Sequence, residues 1–310
     1  MPPSARRLLL TASLLAAGLP LPGLAFTPPP PPVCALASDA VTTAALEATI
    51  LGASSWPEHQ CAMIALIKRG EPAVPVAVRL LGMDDDHLYQ AVEIVTALGP
   101  RAHAALPALM SRIRDRPPAL VVQFQQLYGA LASLGPAARP AIPFLIEKSR
   151  EPAHRDSALG ALGKLWKFEP RLVVPHLTAM LEGRQEKLSR DDTISVLFAL
   201  AEARSEARAA LPGALAAIEQ AKASGDAMLG MAALRALAAI AEPAQSVPIL
   251  SKLLAHPVLG DHAVTELGNI GRPAASAVPL LKARLERTGD PVMRAIIAGS
   301  LAAIAGKGAG

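Results

Sequence analysis

GPRAHAALPALMSRI at residues 99–113, GPAARPAIPFLIEKS at 135–149 and GRPAASAVPLLKARL at 271–285 are three versions of one segment. In each, a glycine (Gly99, Gly135, Gly271) precedes a proline by eight positions, and apolar residues follow the proline. The same proline returns at Pro75, Pro107, Pro143, Pro175, Pro212, Pro248 and Pro279, with spacings of 32, 36, 32, 37, 36 and 31 residues. A period of that size marks a chain built from stacked supersecondary units rather than one globular core.

Apolar residues recur at helical spacing on both sides of the aligned proline. Val95, Leu131, Gly163, Leu200, Ala236 and Leu267 stand twelve before it; Leu98, Leu134, Trp166, Ala203, Ala239 and Ile270 stand nine before it. Leu109, Leu145, Leu177, Ala214, Leu250 and Leu281 follow it by two. Leu81, Ile113, Leu181, Ile218, Leu254 and Leu285 follow it by six, with Ser149 breaking that row in one unit. Each unit therefore reads as a first helix, a turn, and a second helix opened by proline, where no intrahelical donor is lost. Neither stripe can be buried within one pair, and stacking pair on pair buries both.

The motifs AVEIVTALGPRAHAALPALM (91–110) and AVTELGNIGRPAASAVPLL (263–281) resemble the HEAT-like repeats of bacteria, including the short class first associated with phycobilin lyases. The resemblance covers roughly residues 55–306 and implies an all-α, right-handed α-solenoid of about seven HEAT-like helical pairs, with a terminal capping helix at each end. It implies little about role, because such arrays serve as scaffolds, adaptors and sometimes enzymes. The expected organisation is a signal peptide over 1–25, a Pro-rich spacer over 26–37, an N-terminal capping helix within 38–54, the repeat array over 55–306 and a flexible tail over 307–310. Ser38 or Asp39 would cap the lead-in helix, with Gly52 as its stop, and Asp290 to Ala305 would form the closing helix.

Arg6 and Arg7 ahead of an apolar run from Leu8 to Leu19, ending in Gly23, Leu24 and Ala25, form an export leader cleaved before Phe26. Pro20, Pro22 and Gly23 break that run short of the roughly 20 apolar residues of a bilayer span, so no transmembrane segment is expected after cleavage. The route, general secretory or twin-arginine, stays open; the destination is the periplasm or the exterior. Pro28 to Pro32 form a polyproline II spacer. The formal charge of +4 falls to +2 without Arg6 and Arg7, and no dense basic block is present, which argues against nucleic acid as a partner.

Cys34 and Cys61 are the only cysteines of the chain. In an oxidising compartment they are expected to pair, closing a loop of about 26 residues worth on the order of 3 kcal/mol; two buried thiols or an intermolecular bridge are the alternatives. Nearby His59 adds little to a metal reading of that pair.

Acidic residues recur where first helices begin: Asp84 to Asp86 followed by His87, then Asp156, Asp191 with Asp192, Asp226, Asp261 and Asp290. Hard cations favour such carboxylates, but the recurrence favours capping of free amides at the positive helix end. Arg139, Arg171 and Arg208 each stand four before the aligned proline, with Arg101 and Arg272 nearby, as an anion ladder or, as the resemblance implies, as bonds between neighbouring repeats. Trp166, Tyr89 and Tyr128 fall near apolar positions and read as core or seam residues. No HExxH pattern, nucleophile elbow, phosphate loop or GxGxxG fingerprint is present, so no catalytic residue, metal or cofactor is expected.

The second helices then offer the expected partner face. Between their apolar rows stand Arg112, Glu147, Lys148, His176, Lys252 and Arg284, taken to point outward. The function that follows is an exported, non-catalytic scaffold or adaptor holding a protein or peptide. An enzyme or chromophore-attachment factor of the lyase type, or a structural envelope component, is the second reading.

Overall fold

The computed structural model describes residues 40–52, 55–117, 120–184 and 188–306. The leader, the spacer, Cys34, Ser38, Asp39 and the last four residues lie outside them. The described chain is an all-α solenoid. A lead-in helix, α1 (Thr43–Gly52), packs on α2 (Trp56–Arg69), which pairs with α3 (Val74–Leu81). The pairs α4 (Leu88–Leu98) with α5 (Leu106–Asp115), α6 (Val121–Ser133) with α7 (Ile142–Lys148), and α8 (Arg155–Leu165) with α9 (Pro170–Leu181) follow. Then come α10 (Arg190–Ala203) with α11 (Leu211–Ser224), α12 (Ala227–Ile240) with α13 (Pro243–Leu253), and α14 (Gly260–Ile270) with α15 (Val278–Arg287). Helix α16 (Pro291–Ile304) closes the array against α14 and α15.

First helices stack on first helices: α8 lies between α6 and α10, and α10 packs on α12. Their facing residues are small. A methyl group added at Gly163 would sit 3.2 Å from Ala199, so α8 and α10 approach closely because neither carries a bulky side chain there. Leu131, Leu145, Leu177, Leu200, Leu250, Leu267 and Leu281, all from the aligned rows, are fully buried, each worth about 2 kcal/mol by area removed from water.

The helix starts follow capping chemistry only in part. Asp226 accepts from the amides of Met228 and Leu229, Asp290 from Val292, and Ser189 with Asp192 forms a reciprocal capping box. Contact with Arg190 first, and then the Leu229 amide, holds the Asp226 carboxyl down at about 2. Asp226→Ala is expected to lower stability by about 1 kcal/mol, read as a shift in the urea midpoint. Helix α1 differs from expectation: it begins at Thr43, and the Thr42 hydroxyl accepts from the Ala45 amide. Two aligned prolines also differ. Pro175 and Pro248 lie inside α9 and α13, because Pro170 and Pro243 already occupy the first helical turn and start those helices earlier.

One turn is strained. Gly99 and Gly271 end α4 and α14 at φ 55, ψ −131 and φ 71, ψ −139, a region that side chains avoid. The equivalent residue after α10, eight before Pro212, is Arg204, at φ 51 and ψ −135. A non-glycine residue held there costs about 1–3 kcal/mol. Arg204→Gly relieves that strain at the cost of a more flexible unfolded chain, leaving an expected net gain of about 1 kcal/mol by urea denaturation.

Candidate functional site

The six residues expected to form an outward partner face divide in two. Glu147 and Lys252 are exposed. Arg112, Lys148 and His176 are only 5%, 8% and 7% exposed, and Arg284 is half-buried. Arg112 and Arg284 reach back across their own helical pair to Asp85 and Asp261, so these acidic residues are ion-pair partners rather than caps. Asp84 bonds His87 at 3.1 Å. No group of three or more His, Cys, Asp or Glu able to hold a metal occurs among the described residues.

His176 belongs to a buried polar bridge between the pairs α6/α7 and α8/α9, while Lys148 bonds Glu151 at 2.9 Å in the turn after its own helix. The row-breaking Ser149 is fully buried, and its hydroxyl lies 2.8 Å from His176 Nε2. Tyr128, also in the core, places its hydroxyl 2.9 Å from His154 Nδ1. Arg155 donates to the carbonyls of Ser149 and Arg150, each at 3.0 Å, and to Asp192 at 2.9 Å in the next pair. Burial first, then Arg150, pushes the His176 imidazole down to about 4. The Ser149 hydroxyl is sealed from solvent and reaches no substrate; this bridge joins repeats.

Two of the turn arginines bond neighbouring repeats. Arg139 pairs with Glu169 and Arg208 with Glu242, each in the following unit. Arg190 reaches Asp226 in the same sense, and Arg79 bonds Glu47 of α1 at 2.5 Å. His59 Nε2 lies 2.9 Å from the Ile50 carbonyl and ties α2 to α1. Cys61, in α2, is not a free thiol, and its expected partner Cys34 lies outside the described residues.

A cavity of about 710 Å³ opens elsewhere, on the face made by first helices. It is a groove over α8, walled by α6 and α10. Gly129 and Gly160 leave its floor low, since a methyl group added at either would meet nothing within 4 Å. Trp166, which the repeat register places with the core, is half-buried and forms part of the lining beside Phe198. Lys164 and Lys167 line the same space; Lys164 is exposed and has no ion-pair partner among the described residues, and Lys167 sits over the Phe168 ring at 5.2 Å. Across α8, Ser195 donates to Asp156 at 2.6 Å. The groove thus combines aromatic faces, two ammonium groups and a carboxylate–hydroxyl pair, a set whose chemistry suits an aromatic organic anion.

Sequence reasoning missed this groove because its opening depends on two absent side chains. The signal was present in the GALGKLW run of 160–166, where Gly160 takes an outward helical position.

No family model matches the chain, and no curated protein matches it. Among solved structures, the chain is similar to human deoxyhypusine hydroxylase in complex with glycerol, at 19% identity and a TM-score of 0.33, covering 85% of this chain and 96% of that one. This finding corrects the expectation of a non-catalytic scaffold without enzymatic activity: the similar solved chain is an enzyme, and that expectation is withdrawn.

Proposed function

We propose that this chain handles a small molecule, as an enzyme or chromophore-attachment factor, and that the groove over α8 holds the ligand. The observation that carries the reading is the convergence of Trp166, Lys164, Lys167 and the Asp156–Ser195 pair on one cavity of about 710 Å³. A ligand with a planar apolar body and an acidic group suits it: the body lies beside Trp166 and Phe198, and the acid lies near the lysines. Asp156 and Ser195 then accept or share a proton at the ligand's polar edge.

The test uses Trp166 fluorescence. The chain has two tryptophans, so Trp56→Phe leaves Trp166 as the only one. Naphthalene-2-sulfonate is expected to quench it with saturation, and Lys164→Ala with Lys167→Ala to weaken that binding by at least about tenfold. Quenching that is linear in probe, or indifferent to the lysine substitutions, rejects the site.

Export belongs to the same proposal. The leader ending at Ala25 supports it, and a Cys34–Cys61 bridge fits an oxidising destination. Intact mass of the mature protein reads both at once: a start at Phe26 with two hydrogens missing is expected.

A further inference from the structure

A second cavity, about 670 Å³, lies farther along the first-helix face over α10, α12 and α14. Glu202 lines both spaces, and its ion pair with Arg235 at 3.1 Å stands between them. The second cavity is lined by Arg204, Arg235, Glu266 and Asn269, with alanines 238 and 239 supplying apolar wall.

The charges in this cavity do not cancel equally. Arg235 is engaged by Glu202 and also sits over the Phe198 ring at 5.8 Å. Glu266 is 7% exposed and accepts from the Asn269 amide at 3.1 Å. Burial raises its pKa, opposed by Asn269 and by the more distant charges of Arg235 and His262, so its anionic form is disfavoured. Arg204 remains, exposed, with no carboxylate partner among the described residues.

Arg204 is also the residue whose backbone has reason to be glycine. The aligned turns use Gly99, Gly135 and Gly271 in the same left-handed region, and Arg204 alone among the described non-glycine residues has a positive φ. Strain of this kind persists where the side chain has work that a glycine cannot do. Among the described residues nothing bonds this side chain: the turn closes through the Arg204 amide to the Ala201 carbonyl, a bond that glycine makes equally well.

We infer that the cavity over α10, α12 and α14 is a binding site for a small organic acid, with the Arg204 guanidinium receiving the carboxylate and the alanine wall receiving the carbon chain. A guanidinium presents a planar fork that matches a carboxylate in two parallel hydrogen bonds. Its position at a strained turn fixes the donor at the mouth of the cavity, and the buried Glu266, bonded by the exposed Asn269 amide, closes the opposite side. Phosphate offers similar oxygen geometry and is the alternative oxyanion.

Calorimetric titration of the full mature chain with glutarate, and separately with inorganic phosphate, tests this. Glutarate is expected to bind, and Arg204→Gly to weaken it by at least about tenfold. The variant removes strain and so stays folded, with a thermal midpoint equal to or above that of the parent. Lys164→Ala with Lys167→Ala leaves glutarate binding unchanged, which separates this site from the α8 groove. Phosphate binding that Arg204→Gly abolishes also supports the oxyanion site and reassigns its ligand. Failure of the parent to bind either probe up to about 10 mM, or unchanged binding by Arg204→Gly, overturns the proposal.

Discussion

Arg155→Ala is expected to lower stability by about 3–5 kcal/mol, a large effect for a single side chain outside the apolar rows. Arg155 is 5% exposed, and its guanidinium bonds the Ser149 and Arg150 carbonyls behind α7 and the Asp192 carboxylate at the start of α10. It therefore links three successive helical pairs. Its removal leaves two carbonyls without this donor and Asp192 without its cation, and groups stranded in that way lose more than the interaction itself gained. Asp192 also accepts from the Ser189 amide in the capping box, so the start of α10 is loosened as well.

Urea denaturation followed by circular dichroism reads the loss. In a chain whose repeats contact only their neighbours, weakening one junction is expected to split a single transition into two. Arg155→Lys keeps the charge but cannot span three acceptors, and so recovers less than half of the loss. A destabilisation below about 1 kcal/mol would show that the bridge is dispensable.

The helical pairs and their order were legible in the sequence because burial there repeats every unit, and a repeated signal survives local exceptions. Helix faces were less legible. The aligned rows at two and six after the proline define only the centre of the buried stripe. At 100° per residue, position five lies about 80° and position one about 120° from its centre, whereas position four lies opposite it. His176 stands at position one, and Arg112, Lys148 and Arg284 at position five, so these went inward. Glu147 and Lys252 stand at position four and stayed out. Polar identity alone suggested exposure, but long cationic side chains on a flank reach acidic partners without leaving the helix seam.

Both cavities were illegible for a different reason. Each depends on a departure from the repeat: Gly160 in α8 lowers the surface, and Arg204 replaces a turn glycine. Alignment averages such departures away, so the residues that individualise this solenoid are those its periodicity hides. Ser149 is the same case within the core. As a break in an apolar row it reads as noise, whereas the structure pairs it with His176.

That pairing makes acid the second strong perturbation. His176 is 7% exposed, and its imidazole is held at about 4, by burial first and Arg150 second, against an ordinary value of 6.5. His154 is also lowered, by burial and then Lys148, with Glu151 opposing. A lowered histidine pKa means that the folded chain binds fewer protons than the unfolded chain between the two values. Stability contributed by the neutral ring is therefore complete above about pH 6.5 and declines as pH falls toward 4, by about 2–3 kcal/mol for His176. Protonation places a cation beside Ser149 and near Arg150, at the junction that Arg155 also secures, so the array is expected to part between α7 and α9 first. His176→Gln keeps a neutral side chain able to bond Ser149. The difference between parent and variant urea midpoints at pH 7.5 and pH 4.5 isolates this ring from the carboxylates that titrate in both. Equal losses in the two proteins would assign the acid sensitivity elsewhere; a smaller loss in the variant places it at the Ser149–His176 contact.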